Sequence, residues 1–257
     1  MDRRRFLLAA VGAAACPLCA GLAARPALAA GDKPHWSYDG ETGPANWGGL
    51  DDSYRACSAG AEQSPVDLAN AVRAEVDPVS IRWRSIKLDS IVNNGHTIQV
   101  NTPGAGHIEL DGDRYELLQF HFHHRSEHTV DGRQYPLEAH FVHKAAGPGG
   151  LAVIGVFFFE GDENATLSPI WAAMPTGEGD AASGRTVNAA NLLPRSTAAF
   201  RYAGSLTTPP CSEIVAWTVF KEPVSASAGQ IAAFAELFPG NFRPVQPLNR
   251  RFILLSG

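Results

Sequence analysis

Apolar and polar positions alternate over several stretches of the chain, and this alternation predicts strands with one buried face. Residues 151–159 are almost entirely apolar, which is typical of a strand buried on both faces. The segments predicted as strands are residues 79–86, 97–100, 107–110, 115–123, 138–144, 151–159 and 214–220. The pattern therefore predicts a fold dominated by β-structure.

Helical spacing of apolar side chains is found at only two places. Residues 225–238 carry apolar side chains one helical turn apart, and a Pro-Gly pair follows them, which predicts a helix that ends there. Residues 167–174 predict a shorter helix, with Ser168 as its cap and Pro169 at its first helical position. We therefore expect few helices, all of them short.

Composition agrees with a single folded domain. The chain has 257 residues, of which 45% are apolar and 18% charged, and β-rich folds of about 250 residues occur as single domains. Residues 35–70 are rich in Gly, Pro, Asn and Asp, which predicts irregular structure. No shift in composition marks a boundary after residue 31. We predict a mostly β (α+β) fold in one domain.

The first 29 residues have the features of an export signal. A basic start precedes an uncharged stretch, and an Ala-x-Ala site ends at Ala29. The start reads Arg-Arg-x-Phe-Leu from Arg3 onward, which resembles a twin-arginine signal. We expect removal of residues 1–29, a catalytic domain over residues 30–257, and a periplasmic or secreted location. An uncleaved membrane anchor is the alternative, and Pro17 argues against it.

Removing the signal changes both the charge and the cysteine count. The full chain carries a net charge of −5, and losing four arginines and one aspartate makes it −8. This charge disfavours nucleic acid and membrane surfaces as partners. Cys57 and Cys211 are the cysteines that remain. An even count in an exported protein predicts a disulfide, with two free thiols as the alternative.

Histidines are concentrated between His96 and His143, and two of them form a His-x-His pair. Alternate side chains of a strand share a face, so His121 and His123 point the same way, beside Gln119. The side chains predicted to point the opposite way, into apolar packing, are those of Leu118, Phe120 and Phe122. A His-x-His pair alone is also common on exposed strands, so it is weak support for a metal site.

A second segment strengthens the metal interpretation. By the same parity Glu138, His140 and Val142 share a face, and three imidazoles converge if the two strands are neighbours. Three histidines with one open position are typical of catalytic zinc, although imidazole also suits copper, iron and nickel. Gln119 and Glu138 are placed to accept the second N–H of a ligating imidazole and so fix its orientation.

Several ordered motifs resemble the alpha class of carbonic anhydrases in its bacterial exported form. The resemblance runs from about residue 35 to residue 252, and no motif residue is missing. The motifs are Gln-Ser-Pro-Val at 63–66, Asn-Asn-Gly-His at 93–96, Gln-Phe-His-Phe-His at 119–123, Ser-Glu-His-Thr at 126–129, Leu-Glu-Ala-His-Phe-Val-His at 137–143, Ser-Leu-Thr-Thr-Pro-Pro at 205–210 and Arg-Pro-Val-Gln-Pro-Leu at 243–248.

The resemblance implies a fold and a reaction. The fold is one large twisted, mainly antiparallel sheet with a few short surface helices. The reaction is reversible hydration of carbon dioxide to bicarbonate and a proton, by attack of zinc-bound hydroxide. His121, His123 and His140 would hold one Zn²⁺ per chain. A secondary esterase activity and a homodimer are also compatible with the family.

The resemblance also implies roles for other residues. Thr207 would accept a hydrogen bond from the hydroxide and donate one to Glu127, because an ionised carboxylate can only accept. Thr208 would help to hold bicarbonate. His96 would shuttle protons, since an imidazole titrates near neutral pH. Tyr38 would belong to the solvent network through which the protons pass.

Other parts of the resemblance concern the walls of the site. Cys57 and Cys211 would form a disulfide that braces the Thr207 loop. The residues implied as an apolar wall for carbon dioxide are Val142, Val153, Leu206, Val215 and Trp217. His124 and Arg125 depart from the family pattern, and we expect His124 to face away from the ligands as a surface residue, with a second proton shuttle as the alternative. A non-catalytic binding module and a zinc hydrolase of esters are the competing functions.

Overall fold

The computed structural model describes residues 34–257 of the chain, which form seventeen strands and four short α-helices. The strands are β1 (Val72–Arg73), β2 (Ser80–Trp83), β3 (Ile86–Lys87), β4 (Ile91–Asn93), β5 (Ile98–Asn101), β6 (Gly106–Leu110), β7 (Asp113–His124), β8 (Thr129–Val130), β9 (Arg133–Gln134), β10 (Leu137–Ala145), β11 (Leu151–Glu160), β12 (Gly179–Ala181), β13 (Thr186–Val187), β14 (Ala199–Gly204), β15 (Val215–Phe220), β16 (Val224–Ala226) and β17 (Leu254–Ser256). The helices are α1 (Trp47–Leu50), α2 (Ala56–Ala59), α3 (Ser168–Trp171) and α4 (Ala228–Leu237).

Thirteen strands form one large mixed sheet. Its main path runs β1-β17-β14-β15-β11-β10-β7-β5-β4-β12, and β16, β6 and β2 join at the side. Most neighbours are antiparallel, whereas β1–β17, β11–β15 and β11–β16 are parallel. The long strands β7, β10 and β11 lie at its centre, so their side chains have neighbours on both sides. The predicted β-dominated class is confirmed.

Apolar side chains cover both faces of the central strands. One face packs Phe120, Phe141 and Ile154 into the larger core, and the other packs Val153 and Phe157 into a second cluster. Along β11, residues 152–158 are buried, as the apolar run predicts. Both faces of the centre of the sheet are thus covered, and His121, His123 and His140 stand on the side of the second cluster.

The two predicted helices form, but with different limits. The helix predicted over residues 225–238 is α4, and Ser227 caps it in a capping box with Gln230. Residues 224–226 instead pair with β11 as strand β16. The helix predicted over residues 167–174 is the single turn α3. Ser168 lies inside that turn rather than at its cap, because the Asn164 side chain accepts the backbone N–H groups that precede it.

The predicted position of Leu118 is wrong. Its side chain is 43% exposed, whereas Phe120 and Phe122 are fully buried as predicted. The cause is a bulge, since Val142 pairs with Gln119 while His143 pairs with Leu117. One extra residue in β7 turns Leu118 outward, and such a bulge cannot be identified from side-chain alternation alone.

The predicted export segment, residues 1–29, lies outside the described residues, so its removal stays a prediction. Across residues 34–257, we find no helix with the length and hydropathy needed to cross a membrane. The irregular region predicted from residue 35 contains α1, α2 and short helical turns. Trp47 holds this region in place, because its indole N–H donates to the carbonyls of Ser37 and Thr42 while its ring is buried.

Candidate metal centre

Three histidines meet where β7 and β10 run side by side. The antiparallel register places His140 opposite His121, and Glu138 opposite His123. The ring centres are 5.4 Å apart for His121 and His140, 4.6 Å for His123 and His140, and 5.1 Å for His121 and His123. Strand parity and pairing are therefore sufficient to bring the three imidazoles together.

Each imidazole is held by one oxygen acceptor. His121 Nδ1 lies 2.9 Å from Gln119 Oε1, and His140 Nε2 lies 2.8 Å from Glu138 Oε1. His123 Nδ1 lies 2.6 Å from the backbone carbonyl of Asn241. An oxygen acceptor requires that the ring nitrogen carry the proton. These contacts therefore fix the tautomers and leave the other nitrogen of each ring with a lone pair.

The donor set that remains fits a divalent metal ion. The three histidines can each offer a ligand atom, all within 4.8 Å of one another. His123 Nε2 is buried and has no hydrogen-bond partner in the described part of the chain, which a ligating nitrogen would explain. Burial and the neighbouring His123 and His140 hold the pKa of His121 well below its usual range, and burial lowers the pKa of His123. The pKa of His140 is instead raised, because burial, which lowers it, is outweighed by the charge and hydrogen bond of Glu138.

Glu138 belongs to a hydrogen-bond network rather than to a metal. Its Oε2 accepts the backbone N–H groups of Glu127 and His128, and its Oε1 contacts His128 Nδ1 and His140 Nε2. Burial alone would raise the pKa of Glu138, but His128 and His140 lower it below the usual range, so it stays ionised. All of its oxygens are used to hold other groups, including His140.

Glu127 stands beside the ligand atoms. Its Oε1 accepts the backbone N–H of Arg243 at 2.8 Å, and its Oε2 lies 3.5 Å from His123 Nε2 and 3.8 Å from His140 Nδ1. Oε2 has no hydrogen-bond partner among residues 34–257. The bond expected from Thr207 is thus not formed here and stays a prediction, although Thr207 is buried.

The loop that carries Thr207 is tied down at several points. Ser205 exchanges two hydrogen bonds with Ser64, and Trp217 Nε1 donates to the Ser205 carbonyl. After the threonines, Cys211 N–H donates to the Thr208 carbonyl at 2.9 Å. Cys211 is joined to Cys57 by the expected disulfide. The loop is therefore braced from both ends.

An apolar wall lines one side of the centre. Trp217 packs edge-on against His140, with ring centres 4.9 Å apart. The residues expected in this wall all lie in the second apolar cluster or pack against it, and they are Val142, Val153, Leu206, Val215 and Trp217.

His96 lies among aromatic side chains of the N-terminal region. Its ring stacks on Trp36 at 3.7 Å with planes 8° apart, and the rings of His35 and Tyr38 are 6.3 and 6.4 Å away. Burial, and then the nearby His35, lower the pKa of His96 below 6.5, while Glu178 partly opposes them. Burial, and then the charge of Glu127, raise the pKa of Tyr38, which keeps its phenol protonated.

Comparison with known families decides the class of this site. The family model described as eukaryotic-type carbonic anhydrase matches residues 42–257. The chain belongs to this family. The carbonic anhydrase of Pectobacterium atrosepticum is 44% identical over 227 residues, covering 88% of this chain and 92% of that protein.

Solved structures agree with this assignment. The α-carbonic anhydrase from Thermovibrio ammonificans, in complex with sulfanilamide, is 47% identical and superposes with a TM-score of 0.83. The match covers 86% of this chain and 99% of that chain. The α-carbonic anhydrase from Photobacterium profundum is 43% identical, with a TM-score of 0.81 over 86% of this chain and all of that one. This chain is accordingly a carbonic anhydrase, a lyase that hydrates carbon dioxide.

The sequence assigned no role to several residues that hold the carbonic anhydrase site together, although most of them lie in the family motifs. His128 Nε2 lies 2.6 Å from the Tyr202 hydroxyl, which donates to Ser64 and so connects Glu138 with the Thr207 loop. Arg243 is buried, and its guanidinium donates to the carbonyls of Cys57 and Ser64. Residue types along one segment cannot reveal such long-range contacts.

His124 and Arg125 follow the ligands on β7 but do not join them. His124 Nδ1 lies 3.1 Å from the Pro239 carbonyl, and its backbone N–H donates to Asn241 Oδ1. Arg125 is exposed. Among residues 34–257, no hydrogen bond or ring contact joins either side chain to the three imidazoles, which agrees with the expectation that His124 faces away.

Proposed function

We propose that this carbonic anhydrase hydrates carbon dioxide with a zinc ion held by His121, His123 and His140. The proposal rests on three neighbouring imidazoles. In each of them, one ring nitrogen is held by an oxygen acceptor, which leaves the other nitrogen free to bind a metal. That arrangement directs three lone pairs to one point, which is what a catalytic zinc site requires. When bound, zinc supplies the Lewis acidity that lets water lose a proton near neutral pH, a behaviour known for carbonic anhydrases as a class.

Glu127 and Thr207 orient the reacting water in this proposal. Glu127 is held by the Arg243 N–H through Oε1, which leaves Oε2 to accept a proton donor. An ionised carboxylate only accepts, so a Thr207 hydroxyl bonded to it must donate. The Thr207 oxygen then accepts a hydrogen bond from the reacting water, and a lone pair of that water is directed at the substrate. Thr208, the next residue of the loop, would help to hold bicarbonate.

Removing the Thr207 hydroxyl should slow hydration without unfolding the protein. We expect Thr207→Val, which keeps the shape of the side chain, to lower kcat/KM by about 10²-fold, the size of effect seen when one preorganised hydrogen bond is lost. Stopped-flow hydration with equal zinc content would measure it. Thr207→Ser keeps the hydroxyl and should retain most activity. Equal rates for the valine and serine variants would contradict the role.

Carbon dioxide, rather than an ester, is the substrate that the wall favours. The wall is formed by packed apolar side chains around Trp217, and such a surface binds an apolar gas with few polar contacts. Hydration rates and ester hydrolysis rates of the zinc-loaded mature protein would decide between the two chemistries. We expect hydration to be faster by orders of magnitude. A zinc-loaded protein that cleaves an activated ester but does not hydrate carbon dioxide would overturn the proposal.

His96 is proposed to pass protons between the site and solvent. Its half-buried imidazole accepts a proton in its neutral form, which the lowered pKa favours at pH 7. We expect His96→Ala to reduce kcat about tenfold or more at low buffer concentration and to leave kcat/KM unchanged, since only proton transfer is affected. In the wild type, kcat should rise with pH through a value below 6.5. An unchanged kcat in the variant would exclude His96 as the shuttle.

Export through a twin-arginine-type signal completes the proposed function. Support comes from the basic, apolar and Ala-x-Ala features of residues 1–29 and from the start of the family match at residue 42. We expect the mature protein to be found in the periplasm or outside the cell. Mass measurement of the exported protein would locate the cleavage site, and an intact start would contradict cleavage after Ala29.

A further inference from the structure

A glycine stands in the row of the sheet that contains two of the proposed metal ligands, His121 and His140. Gly155 on β11 lies opposite His140 on β10, and Val219 on β15 lies beside it. The two residues that flank Gly155 across the sheet, His140 and Val219, therefore both have large side chains. Glycine weakens a strand interior, and it is typical of places where another group approaches closely. Gly155 does not have a positive φ, so its backbone conformation does not by itself require glycine.

The group that approaches Gly155 is the carboxylate of Glu138. Glu138 belongs to the next row on the same face of the sheet, two residues along each strand, where it pairs with His123 and Phe157. To contact both His140 Nε2 and His128 Nδ1, its carboxylate extends toward the row of Gly155. A Cβ on residue 155 would lie 3.1 Å from Glu138 Oε1, and 3.2 Å from a methyl group of Val219. A carbon and an oxygen that are not bonded normally stay farther apart, so one of the two neighbours would have to move.

The atom that a Cβ would meet is the one that fixes His140. Glu138 Oε1 lies 2.8 Å from His140 Nε2 and 2.7 Å from His128 Nδ1. The space beside it is closed, because Glu138, Gly155 and Val219 all lie in the buried interior. A shift of a few tenths of an ångström at Oε1 therefore weakens the contact that holds the His140 ring. Removal of a hydrogen-bond partner of a ligating histidine typically weakens metal binding 10- to 100-fold.

We propose that Gly155 is a positioning residue of the metal site: the missing side chain gives the Glu138 carboxylate the space from which it fixes His140. Gly155 itself touches neither metal nor substrate. The inference rests on the proposed zinc site. It adds the requirement that residue 155, which has no polar side-chain group of its own, be a glycine. It also explains why a glycine interrupts an otherwise apolar run of large residues in a buried strand.

The test is zinc affinity, measured by competition with a chelator of known affinity. We expect Gly155→Ala to bind zinc about tenfold more weakly than the wild type, at the lower end of the range for losing the partner of a ligating histidine. Gly229→Ala is the matched control, because a Cβ at Gly229 meets only Ser227 Oγ, at 4.0 Å. Melting of the zinc-free proteins is measured in parallel, so that a general loss of stability is separated from a loss of affinity.

Two double variants distinguish positioning from simple overpacking. In a Glu138→Ala background, Gly155→Ala should have little further effect on zinc affinity, because the carboxylate that it displaces is already gone. In a Val219→Ala background, the new methyl group has room on the other side, and zinc affinity should return toward that of Val219→Ala alone. Independent losses in both backgrounds would overturn the inference.

The same titrations keep the inference separate from the proposed function. A wild-type protein that takes up no zinc would overturn the proposed metal site. A wild-type protein that binds one zinc ion per chain, with Gly155→Ala binding it equally well, would overturn only the role of Gly155. An altered melting temperature of the zinc-free variant with unchanged affinity would assign Gly155 a packing role alone, and that outcome also contradicts the inference.

Discussion

His140→Ala is expected to abolish carbon dioxide hydration, with a loss of about 10³-fold or more, because Lewis-acid activation is worth several kcal/mol. His140 is the only one of the three proposed ligands that comes from β10, and its ring is held by an ionised, buried carboxylate. Without it, two imidazoles from one strand remain. Stopped-flow hydration and bound zinc, measured at equal total zinc, would show both losses together.

A matched histidine variant controls for the loss of an imidazole as such. His107 lies on β6, where it contacts Arg114 instead of the metal centre, so His107→Ala should keep both zinc and activity. The expected result for His140 would be contradicted by a folded His140→Ala protein that retains hydration within a few-fold of the wild type. Retained zinc with lost activity would instead mean that His140 acts on the reaction without being required for binding.

Breaking the Cys57–Cys211 disulfide is expected to give the largest loss of stability. The bridge joins residues 154 positions apart. Closing a loop of that length lowers the entropy of the unfolded chain and so raises its free energy by about 5 kcal/mol. For a domain of this size that corresponds to a fall in Tm of about 10–15 °C. Calorimetry of the oxidised protein and of the double variant Cys57→Ser/Cys211→Ser, at equal zinc, would measure the difference.

The disulfide should affect the loop of Thr207 as well as the fold. Cys211 N–H holds the Thr208 carbonyl, and the Arg243 guanidinium holds the Cys57 carbonyl. We therefore expect activity to be lost at a lower temperature in the double variant, in step with its unfolding. Reductant should lower the Tm of the wild type and leave that of the double variant unchanged. Equal Tm values for the oxidised protein and the variant would disprove the stabilising role.

The meeting of His121, His123 and His140 was the most predictable part of the site. The spacing of His121 and His123 fixes a shared face through the two-residue period of a strand, and the same parity applies to Glu138 and His140. Which face a side chain takes depends only on residues close in sequence, so this prediction holds even where other parts of the fold are predicted wrongly. The bulge at Leu118 shows where parity fails, because one inserted residue reverses the face of everything beyond it.

Contacts between distant segments were not predictable from the chain alone. The acceptor for His123 is a backbone carbonyl at Asn241, and every residue type has such a carbonyl. Strand β14 was missed because its apolar alternation is short and mixed with small residues. The role of Gly155 within its apolar run was not predictable for a similar reason. That role depends on which distant side chain approaches the glycine and not on its neighbours in sequence.

The position of Asn241 has a consequence for the order in which the protein is made. His123 receives its acceptor from a residue 118 positions later, and Glu127 receives the Arg243 N–H from one 116 positions later. A growing chain therefore contains all three histidines long before His123 has its acceptor, although the side-chain acceptors of the other two histidines are already present. The centre is complete only after the chain has been made through Arg243, so a nascent chain that stops before Asn241 should bind zinc more weakly than the full chain.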